Sequence, residues 1–190
     1  MEKIKIGYQG IDGSNTYTAV TRLASRIYGS GFELVPLVSS ENVLSALSSH
    51  EVDLGLMATD TAVVGAVPET KTAMLSLAVP LKQIDEISLD IHHCLFALTG
   101  DNSAISRIAS HPEALRECGG YLQTHFPHAE LIPVEDTALS AKRLAAGGFA
   151  PGTAIICSKK AGTDNHLSLL AENIEDLEHN WTRFRLYSTI

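Results

Sequence analysis

Residues 3–38 read KIKIGYQGIDGSNTYTAVTRLASRIYGSGFELVPLV, and this stretch decides the fold. KIKIGYQ (3–9) alternates as a strand with one covered face does, and it ends at the glycine-bearing turn GIDGSNT. YTAVTRLASRIYGSG then sets Val20, Leu23, Ala24 and Ile27 on one helical face and stops at Gly29 and Gly31. ELVPLV supplies the next strand. Two strands joined through a helix pair in parallel, because a tight hairpin cannot connect them.

The same grammar continues downstream. Ser39 or Ser40 caps a helix over ENVLSALSSH, and VDLGLMA forms a third strand leading into TDTAVVGAV. A second round begins with strand material in SLDIHHCLFALTG. RIASHPEALRECGGYLQTHF follows as a short strand, Ser110 as a cap, Pro112 in the first turn and one helix. AELIPV is a strand, DTALSAKRLAAGG a helix with Asp136 at its start, and GTAIICS another strand. The fold class expected is α/β, with two similar lobes built on mixed, mostly parallel sheets. Residues 1–77 plus 172–190 form the first lobe and 78–171 the second, with WTRFRLYS returning to the first. A ligand in such a protein is expected beyond the carboxyl ends of the strands, in a cleft between lobes.

Composition excludes several classes. The chain has 190 residues, 45 % of them hydrophobic, which suits a packed core rather than a disordered chain. A formal net charge of −8 argues against nucleic-acid and anionic-membrane surfaces, and no apolar run reaches the ~20 residues that span a bilayer. MEKIKIGYQG reads as a first strand, not a signal peptide, so a cytoplasmic location is expected. Cys94, Cys118 and Cys157 are odd in number and form no C-x-x-C, which reads as buried thiols. His92 and His93 sit in a strand pattern where neighbours face opposite ways, and Pro127 separates His125 from His128, so no metal and no cofactor are expected.

Four loops at strand ends carry candidate chemistry. In QGIDGSNT, Gly10 and Gly13 permit a tight turn, while Ser14, Asn15 and Thr16 bring donors to a helix N-terminus suited to a carboxylate or phosphate. MATDTAVVG carries Asp60 and Thr61. SHPEAL has Ser110 and Glu113 at the spacing of a capping box. In the terminal NWTRF, alternation puts Thr182 and Phe184 on one face and Arg183 on the other.

Five pieces in order carry a resemblance: GYQGIDGSNTYTA, DLGLMATDTAVVGAV, IHHCLFAL, SHPEAL, and AENIED with NWTRF. Together they resemble the catalytic domain of the prephenate dehydratase family, which converts prephenate to phenylpyruvate with loss of carbon dioxide and water. The resemblance implies a two-lobed fold of the periplasmic-binding-protein type and a small cyclic carboxylic acid as ligand, prephenate or arogenate. It implies a homodimer or homotetramer, since family members associate. Thr182 would be the catalytic hydroxyl, with Arg183 and Phe184 completing its motif. Carboxylate recognition would fall to Gly13, Ser14, Asn15 and Thr16. Arg183 is either a ligand contact or, as alternation suggests, a scaffold residue.

This sequence departs from the family's pattern in two places. Family Glu-Asn-Ser is Asp60-Thr61-Ala62 here, and the Gln of Ser-His-Pro-Gln is Glu113. A carboxylate beside a dianion is unfavourable; otherwise Glu113 is a protonated catalytic acid, or it caps a helix and never meets substrate. Nothing beyond Ile190 corresponds to a phenylalanine-sensing domain, and nothing upstream to a chorismate mutase segment, so neither is expected. Three functions follow: a dehydratase of prephenate or arogenate; a relative in specialised metabolism, of the tropone or antibiotic type, acting on another cyclic carboxylate; and a non-catalytic small-acid binding module.

Overall fold

The computed structural model describes residues 3–77 and 79–190 and divides the chain into two compact units. The first comprises Met1–Asp90 and Trp181–Ile190, and the second Ile91–Asn180.

In the first unit, β1 (Ile4–Tyr8) leads into α1 (Asn15–Tyr28), β2 (Phe32–Pro36), α2 (Ser40–Ser48) and β3 (Leu54–Thr61). The short β4 (Gly65–Ala66), α3 (Pro68–Leu75) and β5 (Leu81–Asp90) follow. In the second unit come β6 (Cys94–Ala97), β7 (Arg107–Ser110), α4 (Pro112–Glu117), α5 (Gly119–His125) and β8 (Glu130–Pro133). They are followed by α6 (Thr137–Ala145), β9 (Thr153–Cys157), α7 (Lys159–Asp164) and β10 (Ser168–Glu172). The chain then re-enters the first unit as β11 (Trp181–Thr189).

The first sheet has the order β2-β1-β3-β11-β5, with β4 on β3, and the second the order β10-β6-β9-β7-β8. β1 pairs in parallel with β2 and β3, and β7 with β8 and β9, as the strand–helix–strand repeat requires. Antiparallel pairing is more extensive than the sequence suggests, because β11 lies between β3 and β5 and β6 lies between β9 and β10.

The two faces of the first sheet are covered by different helices. Gly55 and Met57 lie under α2, where a Cβ on Gly55 would meet Val43 and Leu47 at 2.6 Å. The opposite face belongs to α1, whose Ala19, Val20, Leu23 and Ala24 are fully buried. Ile27, expected on that stripe, is 38 % exposed, since the last turn of α1 overhangs the packed surface. In the second unit one core gathers Leu95, Ile108, Leu115, Cys118, Leu122 and Ile156, and all three cysteines are buried free thiols.

The expected lobe boundaries shift. β5, expected in the second lobe, pairs along the whole of β11, so the first crossing falls at Asp90/Ile91 instead of 77/78. The return falls at Asn180/Trp181 instead of 171/172, because Ile174, Glu175 and Asp176 bond to His93, Gly120 and Tyr121 of the second unit. His92 and His93 lie between β5 and β6 rather than within a strand. The single helix expected after Pro112 breaks at Cys118, and Asp176 accepts the N–H groups of Gly120 and Tyr121 at 2.7 and 2.9 Å. His111, not Ser110, caps α4, its Nδ1 accepting the Glu113 N–H at 3.2 Å.

Candidate active site

The C-terminal ends of β1 and β3 and the start of β11 share one edge of the first sheet. Thr182 of β11 stands opposite Thr61 of β3, and directly opposed residues carry their side chains on the same face. Asp85 of β5, opposite Leu186, takes Arg26 of α1 at 2.8 Å. The Thr182–Phe184–Leu186 face is therefore the one that α1 covers. The N-terminus of α1 opens after β1 on that side.

Thr182 is 8 % exposed, and its hydroxyl makes no hydrogen bond to any described residue. Thr61 is buried, and its Oγ1 accepts the Val64 N–H at 3.3 Å, closing the turn into β4. Phe184, expected to complete the motif of Thr182, is a core side chain between Ala58 and Ile87. Ser14 is the N-cap of α1 and accepts the Tyr17 N–H at 3.0 Å, so its hydroxyl is already committed. Asn15 and Thr16 occupy the first helical positions, where backbone N–H groups have no intrahelical partner. Gly13 has φ +90°, a conformation that favours glycine and turns the chain into the cap.

Asp60 and Arg183 are turned to the other face. Arg185 holds Asp60 at 2.9 Å and Glu86 at 3.2 Å, and Thr59 donates to Asp60 at 2.9 Å. Arg183 lies over the Trp181 ring, 5.4 Å from its centroid, with its Nε 3.8 Å from Glu86. Of the two roles left open for Arg183, this position agrees with scaffold. Asp60, expected among the binding residues, is likewise engaged in cross-strand pairing. Its side is set by Thr59, the extra residue of a bulge that interrupts the β3–β11 register. Thr59 and Gln9 were not singled out by sequence. Gln9 Oε1 accepts the Ala58 N–H at 3.1 Å and fastens the end of β1 to β3. A bulge and a side-chain-to-strand bond depend on the partner strand, so no local signal announces them.

Ser110 and Glu113 belong to the second unit. Ser110 is fully buried and donates to the Ile156 carbonyl at 2.7 Å, tying β7 to β9. It neither caps α4 nor carries a free hydroxyl. Glu113 forms an ion pair with Arg116, and its side chain is 13 % exposed. The Glu113 Oε1 is buried without a partner, so the carboxylate closes no capping box. Among the described residues no group of three or more His, Cys, Asp or Glu could hold a metal ion, and no helix is long and apolar enough to cross a membrane.

Two α/β units, each built on a mixed sheet, define an α/β fold that binding proteins and enzymes share. A nutrient-binding protein from Burkholderia cenocepacia, solved with methionine, shares the fold at TM-score 0.53 and 12 % identity, covering 97 % of this chain and 84 % of that one. The family model for prephenate dehydratase matches residues 6–189, and the chain belongs to the prephenate dehydratase family. It is 29 % identical over 184 residues to a bifunctional chorismate mutase/prephenate dehydratase of Pseudomonas aeruginosa, covering 96 % of this chain and 48 % of that protein. It is 28 % identical over 182 residues to the chloroplastic arogenate dehydratase 5 of Arabidopsis thaliana, covering 95 % and 41 % respectively. A prephenate dehydratase from Arthrobacter aurescens, solved in complex with L-Phe, superposes at TM-score 0.81 and 28 % identity, covering 98 % of this chain and 61 % of that one. The chain thus spans about half the length of the curated relatives it matches.

Proposed function

We propose that this chain catalyses the decarboxylative dehydration of prephenate to phenylpyruvate, or of arogenate to phenylalanine. The observation that carries this reading is Thr182: a nearly buried hydroxyl with no partner among the described residues, in a Thr-Arg-Phe run that resembles the family's motif, on a chain that belongs to the prephenate dehydratase family. Prephenate carries a ring carboxylate, a pyruvyl carboxylate and a ring hydroxyl. Breaking the carboxylate C–C bond releases carbon dioxide and delivers its electron pair to the ring. The C–O bond breaks with its own pair, the oxygen leaves as water after taking a proton, and the ring becomes aromatic. Negative charge grows on the leaving oxygen, so a donor aimed at it binds the transition state more tightly than the ground state. A threonine hydroxyl is poorly matched in pKa to full general-acid work. Thr182 therefore acts as an oriented donor.

The N–H groups of Asn15 and Thr16, at the positive end of the α1 dipole, serve as receptors for one carboxylate. Glu113 is proposed as a second contributor, tested by whether Glu113→Gln changes turnover, affinity or their pH profiles. A second reading is favoured by Thr61 and Glu113, which replace the family pattern's amides: the same chemistry class on another cyclic carboxylate of specialised metabolism. A cytoplasmic homodimer or homotetramer is part of the proposal, and light scattering checks the assembly. The experiment mixes purified protein with fresh prephenate at neutral pH and follows phenylpyruvate against no-enzyme and Thr182→Val controls. Turnover lost in Thr182→Val supports the dehydratase. Binding without turnover in the parent moves the substrate to another cyclic acid, or leaves a binding module.

A further inference from the structure

One buried polar cluster is not used by the chemistry above. Glu117, at the end of α4, is 4 % exposed; its Oε2 lies 2.6 Å from His93 Nε2 and accepts from Asn180 Nδ2 at 3.0 Å. His93 and Asn180 are each 3 % exposed. The backbone joins the same residues: Asn180 O accepts the Ile91 N–H at 2.7 Å, His93 O accepts the Ile174 N–H at 3.1 Å, and Glu117 O accepts the Asp176 N–H at 2.7 Å. A second carboxylate, Glu175, takes the His93 N–H at 2.9 Å and the His92 ring at 2.7 Å. Burial works against its charge, but these two partners outweigh it and hold the Glu175 carboxyl below its ordinary range. The segments on which the chain enters and leaves the second unit, 91–93 and 174–180, are thus held to the end of one helix.

Such a cluster is an expensive way to fill a core. A buried charged group with polar partners usually stabilises no better than apolar side chains of the same volume. Here, moreover, His93 Nδ1 and Asn180 Oδ1 find no partner. What a satisfied carboxylate does supply is fixed direction. Asn180 immediately precedes Trp181, whose carbonyl accepts the Ala62 N–H at 2.9 Å, and lies two residues before Thr182. At ~3.3 Å per strand residue, a pivot of roughly 10° at Asn180 moves the Thr182 Cα by about 1 Å. A misplacement of about 1 Å is enough to lower a rate by ~10²-fold.

We propose that Glu117, His93 and Asn180 are a positioning network for Thr182: by fixing the chain at Asn180 they set where β11 begins and where its hydroxyl points. The inference rests on Thr182 being the catalytic group. Its test is a donor–acceptor swap. Asn180→Asp sets two carboxylates against each other, and kcat for prephenate should fall by roughly 10- to 100-fold, with KM within about 3-fold. The double variant Glu117→Gln/Asn180→Asp restores a donor facing an acceptor, with the His93 tautomer adapting, and should return kcat to within about 3-fold of the parent. A merely structural cluster would lower thermal stability and leave kcat per folded molecule unchanged.

The only tryptophan in the sequence is Trp181, so acrylamide quenching of intrinsic fluorescence reads the start of β11 directly and needs no substrate. Quenching should rise in Asn180→Asp and return in the double variant. Unchanged kcat in folded Asn180→Asp overturns the proposal, and so does a double variant that recovers neither signal. A parent that does not turn over prephenate refutes the dehydratase reading instead. The quenching then still decides the network: recovery in the swap supports it, and no response overturns it.

Discussion

Replacing Thr182 with valine should move activity and stability in opposite directions. Valine matches threonine in shape and suits a strand, so the substitution removes only the hydroxyl. That hydroxyl sits on a residue 8 % exposed and makes no bond to the described residues. Its removal relieves a partly desolvated polar group and leaves no partner orphaned. A satisfied buried hydrogen bond would cost about 1 kcal/mol to delete; here stability should stay level or rise by up to about 1 kcal/mol. For a chain of this size that corresponds to an upward Tm shift of up to ~4 °C. Turnover should fall by ~10²- to 10³-fold, the loss typical of one donor facing developing oxyanion charge. Scanning calorimetry and phenylpyruvate formation on the same preparation give both numbers. A Tm that falls together with activity would refute the reasoning, since it would make Thr182 a packing residue. Parental turnover in Thr182→Val would refute it just as directly.

Ser110→Ala removes the bond to the Ile156 carbonyl and should lower stability by about 1–2 kcal/mol in urea titration, while kcat and KM well below the melting point stay parental. Gly162→Ala would place a Cβ 2.3 Å from the Phe96 ring; that overpacking should cost about 1–3 kcal/mol, whereas Gly100→Ala, which meets nothing within 4 Å, should be close to neutral. Asp136 caps α6 from a buried position, and burial raises its pKa above the ordinary 3.8 despite the Leu139 and Ala138 N–H groups. A raised folded pKa favours the protonated native state, a contribution complete below 3.8 and lost as pH rises through the folded value. Asp136→Asn keeps the cap without titrating, so its Tm relative to the parent should become more favourable from pH 3.5 to pH 7; a difference independent of pH would refute the assignment.

What was legible in the sequence is what depends on near neighbours. Asp136 stands directly before its helix and caps it, Ser39 does the same for α2, and the hydrophobic spacing of Val20, Leu23 and Ala24 marks the buried stripe of α1. Alternation alone sorted Thr182 from Arg183. What was missed depends on residues far along the chain. The helix after Pro112 breaks because Asp176 supplies a carboxylate to Gly120 and Tyr121 from 56 and 55 positions away. β5 belongs to the first sheet because β11 returns to pair with it, and no local pattern in residues 81–90 records that return. Ser110 has the spacing of a capping box with Glu113, yet its hydroxyl goes to a carbonyl 46 residues on.

The proposed dianionic substrate requires a chain of net charge −8 to keep its carboxylates off one face, and the strand geometry bears on this. Of the carboxylates on the strands beside β11, Asp60 and Glu86 lie on the face of Arg183 and Arg185 and are held there by Arg185, while Asp90 stands opposite Trp181. The bulge at Thr59 is what keeps Asp60 on that side while Thr61 returns to the side of Thr182. On the α1 face near Thr182 stand the Thr61 hydroxyl and the N–H groups of the α1 N-terminus, and the Asp12 carboxylate of the preceding turn is engaged by the Tyr8 hydroxyl at 2.6 Å. Neutral donors attract a carboxylate without the desolvation of a fixed cation, and they do not compete for the proton that the leaving oxygen must acquire. On the proposed dehydratase reading, the arginines that frame Thr182 in sequence serve it from the opposite face, by holding Asp60 and Glu86 away from it.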